Sequence, residues 1–158
     1  MKLLILSDSH GDCKPMAEIV KRFDGVADHL LFLGDNTRDC EEFRATFSGE
    51  IHIVAGNCDF GSGYPDEEIL TIADKKILMT HGHNFRVKSG FGSITAAAKA
   101  YDVNICLFGH THVATEFYDS GILFLNPGSI SLPRGLIGKS YAVVEIVGGN
   151  ILSQIIEI

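Results

Sequence analysis

Five short, largely apolar runs in this chain each stop at a cluster of Asp, Asn and His, and that repeated junction restricts the fold more than anything else in the sequence. Leu3–Leu6 leads into Asp8-Ser9-His10, and Leu30–Leu33 into Gly34-Asp35. Ile51–Ala55 leads into Gly56-Asn57-Cys58-Asp59, Lys76–Thr80 into His81-Gly82-His83, and Ile105–Phe108 into Gly109-His110-Thr111-His112. Brief runs that are apolar almost throughout suit strands buried on both faces. In α/β sheets, ligands gather at the carboxyl ends of strands, where the loops converge on one crevice. The glycines beside the clusters (Gly11, Gly34, Gly56, Gly82 and Gly109) permit sharp exits and close backbone approach.

Between these runs the period changes. Met16, Ile19, Val20 and Phe23 fall at i, i+3, i+4 and i+7, the core-facing stripe of a helix, with Asp12 as its cap and Pro15 in its first turn. A short helix is expected over 41–47, and a second amphipathic one carries Ile94, Ala97, Ala98 and Tyr101. Ile69–Ala73 and Lys76–Thr80 read as a hairpin turning at Asp74-Lys75. The remainder alternates like strands: Thr115–Tyr118, Ile122–Leu125, Ala142–Val147 and Ile151–Ile156. Turns at Asp119-Ser120-Gly121 and Gly148-Gly149-Asn150 separate them. The pattern predicts an α/β sandwich, two sheets face to face with helices outside.

At 158 residues the chain is expected to form one domain, residues 1–158, with a core that needs no staples. A net charge of −7 and the lack of any Lys/Arg-rich run speak against a duplex nucleic-acid surface. The N-terminal apolar run is too short for a signal peptide, and no stretch approaches a membrane span. Cys13, Cys40, Cys58 and Cys106 form no CxxC pair, which suits a reducing compartment, so a cytoplasmic protein is expected.

Each polar cluster also has a plain structural reading. A lone Asp-x-His is commonly a turn or helix cap, and Gly-Asn-Cys-Asp can be a turn whose Asn and Gly tolerate positive φ. The Gly-His-Thr-His cluster is sharper, because two histidines in a turn after a buried strand are costly if unpaired. Five of the seven histidines lie in three of these motifs, which coincidence explains poorly. His29 and His52 fit no motif and read as structural or surface residues. Cys13, Cys40 and Cys106 read as packing or surface thiols.

The order Asp-x-His, Gly-Asp, Gly-Asn-x-Asp, His, Gly-His-x-His, from Asp8 to His112, resembles the metallophosphoesterase (calcineurin-like) superfamily. The small size, Gly56-Asn57-Cys58-Asp59, His81-Gly82-His83 and Asn126-Pro127-Gly128-Ser129 are similar to its compact bacterial and archaeal phosphodiesterase branch. The resemblance implies a four-layer αββα sandwich of two mixed β-sheets flanked by helices. It implies one metal held by Asp8, His10, Asp35 and His112, and a second held by Asp35, Asn57, His81 and His110. Asp35 would bridge them through its two oxygens. Oxygen and imidazole donors without thiolate suit Mn²⁺, Fe, Zn²⁺ or Ni²⁺, and family habit puts Mn²⁺ first.

The implied reaction is in-line attack on a phosphate ester by hydroxide bound to both metals. Two divalent ions bring four positive charges; Asp8, Asp35 and the hydroxide remove three, leaving one to attract the ester. Asp35, Asn57 and His81 are then the catalytic candidates, while Asn57, His83, Arg38 and Arg134 are candidates for substrate contact. His83 is alternatively a residue that orders His81. The chain departs from the family at Cys58, where most members carry a histidine that contacts substrate and helps the leaving group depart. A thiol with a pKa near 8.5 replaces it weakly.

The expected partner is a small phosphate ester, with no membrane and no duplex nucleic acid; a homo-oligomer is left open. The main rival is a scaffold like the retromer subunit of the same fold, which carries Asn-Pro-Gly-Ser but an eroded metal site. A nuclease and a phosphomonoesterase are the others.

Overall fold

Strand β1 (Lys2–Leu6) is buried along nearly its whole length because both of its faces are covered. In the computed structural model, which describes residues 1–158, Leu3 and Ile5 point toward a second sheet while Leu4 and Leu6 point toward helices. The first sheet has the order β10-β9-β1-β2-β3, formed with β2 (His29–Phe32), β3 (Glu50–Ile53), β9 (Ser140–Val147) and β10 (Asn150–Glu157). The second has the order β4-β5-β6-β8-β7, from β4 (Glu67–Ile72), β5 (Lys75–Thr80), β6 (Ile105–Leu107), β7 (Thr115–Asp119) and β8 (Ile122–Asn126). Both are mixed: β1, β2 and β3 run parallel, as do β5, β6 and β8, and antiparallel strands complete each sheet.

Three apolar layers separate four structural ones. Between the sheets, Leu3, Ile5, Leu31, Leu33 and Val54 meet Ile77, Met79, Ile105, Leu107 and Leu125. Outside the first sheet lies helix α1 (Cys13–Phe23), which buries Met16, Ile19 and Val20 against Leu4, Leu6, Leu30 and Phe32. The short α2 (Arg38–Glu41) contributes Cys40 to the same layer. Outside the second sheet, α3 (Gly92–Ala100) packs Ile94 and Ala98 onto Leu78, Cys106, Phe108 and Phe124. This is the αββα sandwich expected from the sequence. No helix is long and apolar enough to cross a membrane.

Several local expectations need correction. The hairpin turns at Ala73-Asp74, one residue before Asp74-Lys75, because Ile72 pairs with Lys75 and leaves a two-residue loop with both φ values positive. The helix expected over 41–47 begins earlier, at Arg38, and gives way to a 3₁₀ turn at Glu42–Ala45. Asp12 stands at the helix start but makes no capping bond; its carboxylate pairs with Lys139 Nζ at 2.9 Å instead. All four cysteines are free, with Cys40 and Cys106 buried.

Candidate metal centre

The carboxyl ends of β1, β2, β5 and β6 meet at one edge of the sandwich, and their exits are tied by backbone hydrogen bonds. Asp8 N donates to Gly34 O (3.0 Å), and Gly109 N donates to His81 O (3.0 Å). Close approach explains two of the glycines: a Cβ on Gly56 would stand 2.2 Å from Asp35 Oδ1, and one on Gly109 would stand 2.1 Å from Ser7 Oγ. Asp8, His10, Asp35, Asn36, His110 and His112 all adopt positive φ, between 46° and 79°. Left-handed backbone in non-glycine residues costs roughly 1 kcal/mol or more each and persists only where neighbours over-determine it.

Those turns bring two donor clusters together, Asp8/His10/Asp35/His112 and Asp35/His81/His110, with Asp35 common to both. In the first, His10 Nε2 and His112 Nε2 are 3.2 Å apart, and His112 Nε2 is 3.1 Å from Asp8 Oδ1. In the second, His81 Nε2 and His110 Nδ1 are 3.1 Å apart. Asp35 Oδ2 lies 3.6 Å from His10 Nε2 and 3.4 Å from His81 Nε2. Asp35 Oδ1 is engaged elsewhere, accepting the Cys58 amide at 2.9 Å. The two clusters therefore share a single oxygen of Asp35, not one oxygen each as the sequence reading has it.

Ring orientation is set from behind. The Nδ1–H of His81 donates to Leu33 O and that of His112 to Leu132 O, both at 2.7 Å, which leaves the Nε2 lone pairs facing the cluster. Asp8 Oδ1 is buried with no hydrogen-bond partner, although three imidazole nitrogens lie within 3.9 Å. An orphaned carboxylate oxygen ringed by nitrogen lone pairs fits a cation between them better than it fits the bare protein.

The charge states of the metal-free protein follow. Burial works to raise the Asp35 carboxyl, but the His81 ring and the Cys58 amide outweigh it and hold it far below the usual carboxylate range. Burial works to lower His81, yet Asp35 and Asp8 hold it above the ordinary imidazole value. His110 is pushed down to about 4, first by burial and then by the charge on His81. Cys58 is exposed, but partial desolvation and then the Asp35 charge push its thiol up to about 11.

A sequence profile of the calcineurin-like phosphoesterase superfamily domain matches residues 1–149. The chain belongs to that superfamily. It is 36% identical over 146 residues to the probable metallophosphoesterase YsnB of Bacillus subtilis, covering 92% of this chain and 85% of that one. It is 35% identical to a conserved, uncharacterized protein of Streptococcus pneumoniae described as a predicted phosphoesterase. That structure matches with a TM-score of 0.84 over 99% of this chain and 88% of the other. At 23% identity the fold also matches Vps29 of Entamoeba histolytica solved with Zn²⁺ (TM-score 0.76, 99% of each chain). This calcineurin-like fold thus recurs in proteins with different labels, and the site residues must carry the functional argument.

The remaining expected residues are distributed around the clusters. Asn57 is exposed, and its amide reaches Cys58 Sγ at 3.5 Å. Asn57 and His83 line one cleft of about 350 Å³, and Cys58 and Arg38 line a neighbouring one of about 310 Å³. His83 makes no hydrogen bond to His81, whose Nδ1 is committed to Leu33, and the two ring centroids lie 5.5 Å apart. Its own Nδ1 is buried without a partner. Arg134 is exposed on the loop beside His112, to whose carbonyl its amide donates at 2.8 Å.

Sequence reasoning missed the residues that hold the loops. Asp59 accepts from the amides of Asp35, Asn36, Thr37 and Gly56 at 2.7–2.9 Å. Asp39 accepts from Ser9 Oγ at 2.6 Å and Gly11 N at 2.8 Å. Ser129 and Ser131 both donate to Asp8 O, and Asn126 Nδ2 donates to Gly109 O. The visible signals were the fourth residue of Gly-Asn-Cys-Asp and the Asn-Pro-Gly-Ser segment.

Proposed function

We propose that this metallophosphoesterase hydrolyses phosphodiesters at a two-metal centre. Asp8, His10, Asp35 and His112 would hold one divalent cation, and Asp35, Asn57, His81 and His110 the other. The observation that carries the reading is Asp35 Oδ2, which faces both donor clusters at once. The fit is chemical as well as spatial. Donor separations of 3.1–3.6 Å suit neighbouring ligands about 2.0–2.2 Å from a shared cation, and the orphaned Asp8 Oδ1 would gain its missing partner. Mn²⁺ is the first choice for an oxygen and imidazole set, with Fe, Zn²⁺ and Ni²⁺ behind it. Such cations supply Lewis acidity for a phosphoryl oxygen and lower the pKa of water toward neutrality.

The chain's own groups do the rest. Leu33 and Leu132 carbonyls fix the two imidazoles, Asp59 fixes the loops bearing Asp35 and Asn57, and the paired clefts accept the two arms of a diester. Asn57 and His83 face one arm; Arg38 and Cys58 face the other. Four free thiols favour a reducing, cytoplasmic setting, and the acidic surface favours a small substrate over duplex nucleic acid.

The test is metal content and turnover together. Asp35→Ala is expected to lose more metal than His112→Ala by elemental analysis, and full occupancy in Asp35→Ala removes the bridge. With Mn²⁺, an aryl phosphodiester is expected to show higher kcat/KM than its matched monoester, since a singly charged ester best balances the site. No turnover above a metal-free blank would favour a scaffold instead.

A further inference from the structure

A third donor cluster lies at the opposite end of the first sheet. His29 opens β2, and Glu50 and His52 lie on the edge strand β3. Pairing of His29 with Glu50 and of Leu31 with His52, together with the two-residue spacing of Glu50 and His52, puts all three on one face. That is the face on which Leu31 and Val54 meet the second sheet. From His29 to Asp35 the chain advances about 20 Å at ordinary strand rise, so this cluster is separate from the proposed two-metal centre.

His29 and His52 stand within hydrogen-bond reach of each other, but Glu50 is too far to bond either ring. His29 Nδ1 is 3.3 Å from His52 Nε2, and Glu50 Oε2 is 3.6 Å from each of those nitrogens. A carboxylate bonded to one imidazole would close to about 2.7–3.2 Å and leave the other. Three donors at near-equal separations are instead one face of a tetrahedron. With Zn–N near 2.0–2.1 Å and Zn–O near 2.0–2.2 Å, tetrahedral edges come to about 3.3–3.6 Å. His29 is also nine-tenths buried, with its Nδ1 turned toward the other two donors. Burial lowers its pKa, favouring the neutral ring that ligates.

We propose that His29 Nδ1, His52 Nε2 and Glu50 Oε2 form a binding site for a divalent metal of the zinc class, with the fourth position open to solvent. The open side is a crevice of about 240 Å³ lined by Leu70, Thr71, Ile72 and Ala73 of the facing hairpin. A metal here ties the edge strand β3 to β2, its single neighbour in the sheet.

The test uses the full chain loaded with excess Zn²⁺, stripped of free metal by gel filtration and analysed for zinc. His52→Ala, at a partly buried position, and Glu50→Gln, at an exposed one, are expected to hold one zinc per chain less than the wild type, with phosphoesterase turnover unchanged. Asp35→Ala is expected to keep that zinc while losing metal from the other centre, so failure of either site reads separately. Wild-type zinc content in folded His52→Ala and Glu50→Gln overturns the proposal.

Discussion

At Cys58 the chain places a poor proton donor beside the proposed metal centre, where a departing alkoxide would need a proton. The thiol is pushed up to about 11 and lines the cleft with Arg38, so near neutrality it is protonated but weakly acidic. General acid assistance is typically worth about 10²–10⁴-fold. Turnover is therefore expected to fall steeply from nitrophenyl to alkyl esters, and Cys58→His to help the alkyl esters more. Cys58→Ser is expected to leave nitrophenyl ester turnover largely intact; its loss with metals still bound gives the thiol a direct role. Asp59 is the opposite kind of residue, absent from the chemistry but holding four loop amides. Asp59→Ala leaves buried donors without an acceptor, so about 3 kcal/mol or more of stability should go, read from the urea midpoint. Metal affinity should fall with it, about 10–100-fold.

Among the elements, the β4–β5 hairpin closes on Ala73 and Asp74, at φ 48° and 63°, where Asn-Gly is the favoured pair. Replacing both with Asn-Gly is expected to stabilise the protein by about 1 kcal/mol, or about 2–4 °C in Tm. The turn was misplaced from sequence for a physical reason: register comes from the Ile72–Lys75 pairing, which overrides turn preference. The doubly buried strands and α1 were legible because apolar runs and 3.6-residue periodicity report burial directly. The Asp and His clusters were legible because they stand where such strands stop. Asp39, Asp59, Ser129 and Ser131 were not, since their partners are backbone groups of distant loops and leave no periodic trace. The zinc-class cluster was hidden likewise, because β2–β3 register alone joins His29 to His52.

For the whole molecule, pH should act with opposite signs on the metal-free and metal-loaded forms. His81 is raised in the folded state, so its contribution is full below about 6.5 and is lost as pH rises through the raised value. Asp35 is depressed, so its contribution is present above about 3.9 and is lost on acidification. Without metal, stability should therefore decline as pH rises through the raised value of His81, whereas metal binding strengthens as its ligands lose protons. The Tm difference between Mn²⁺-loaded and chelator-treated protein is expected to widen as pH rises past about 6.5, and a constant difference contradicts the assignment of His81.

The wiring of the first sheet also has a consequence for biosynthesis. β1 pairs with β9, Lys2 opposite Glu145 and Ile5 opposite Ala142, while Ser129 and Ser131 grip the carbonyl of Asp8. Translation proceeds from the amino terminus, so Asp8 leaves the ribosome long before the residues that hold it. A nascent chain halted just past His112 already carries every proposed ligand of the two-metal centre, yet lacks the strand and the hydroxyls that lock the first of them in place.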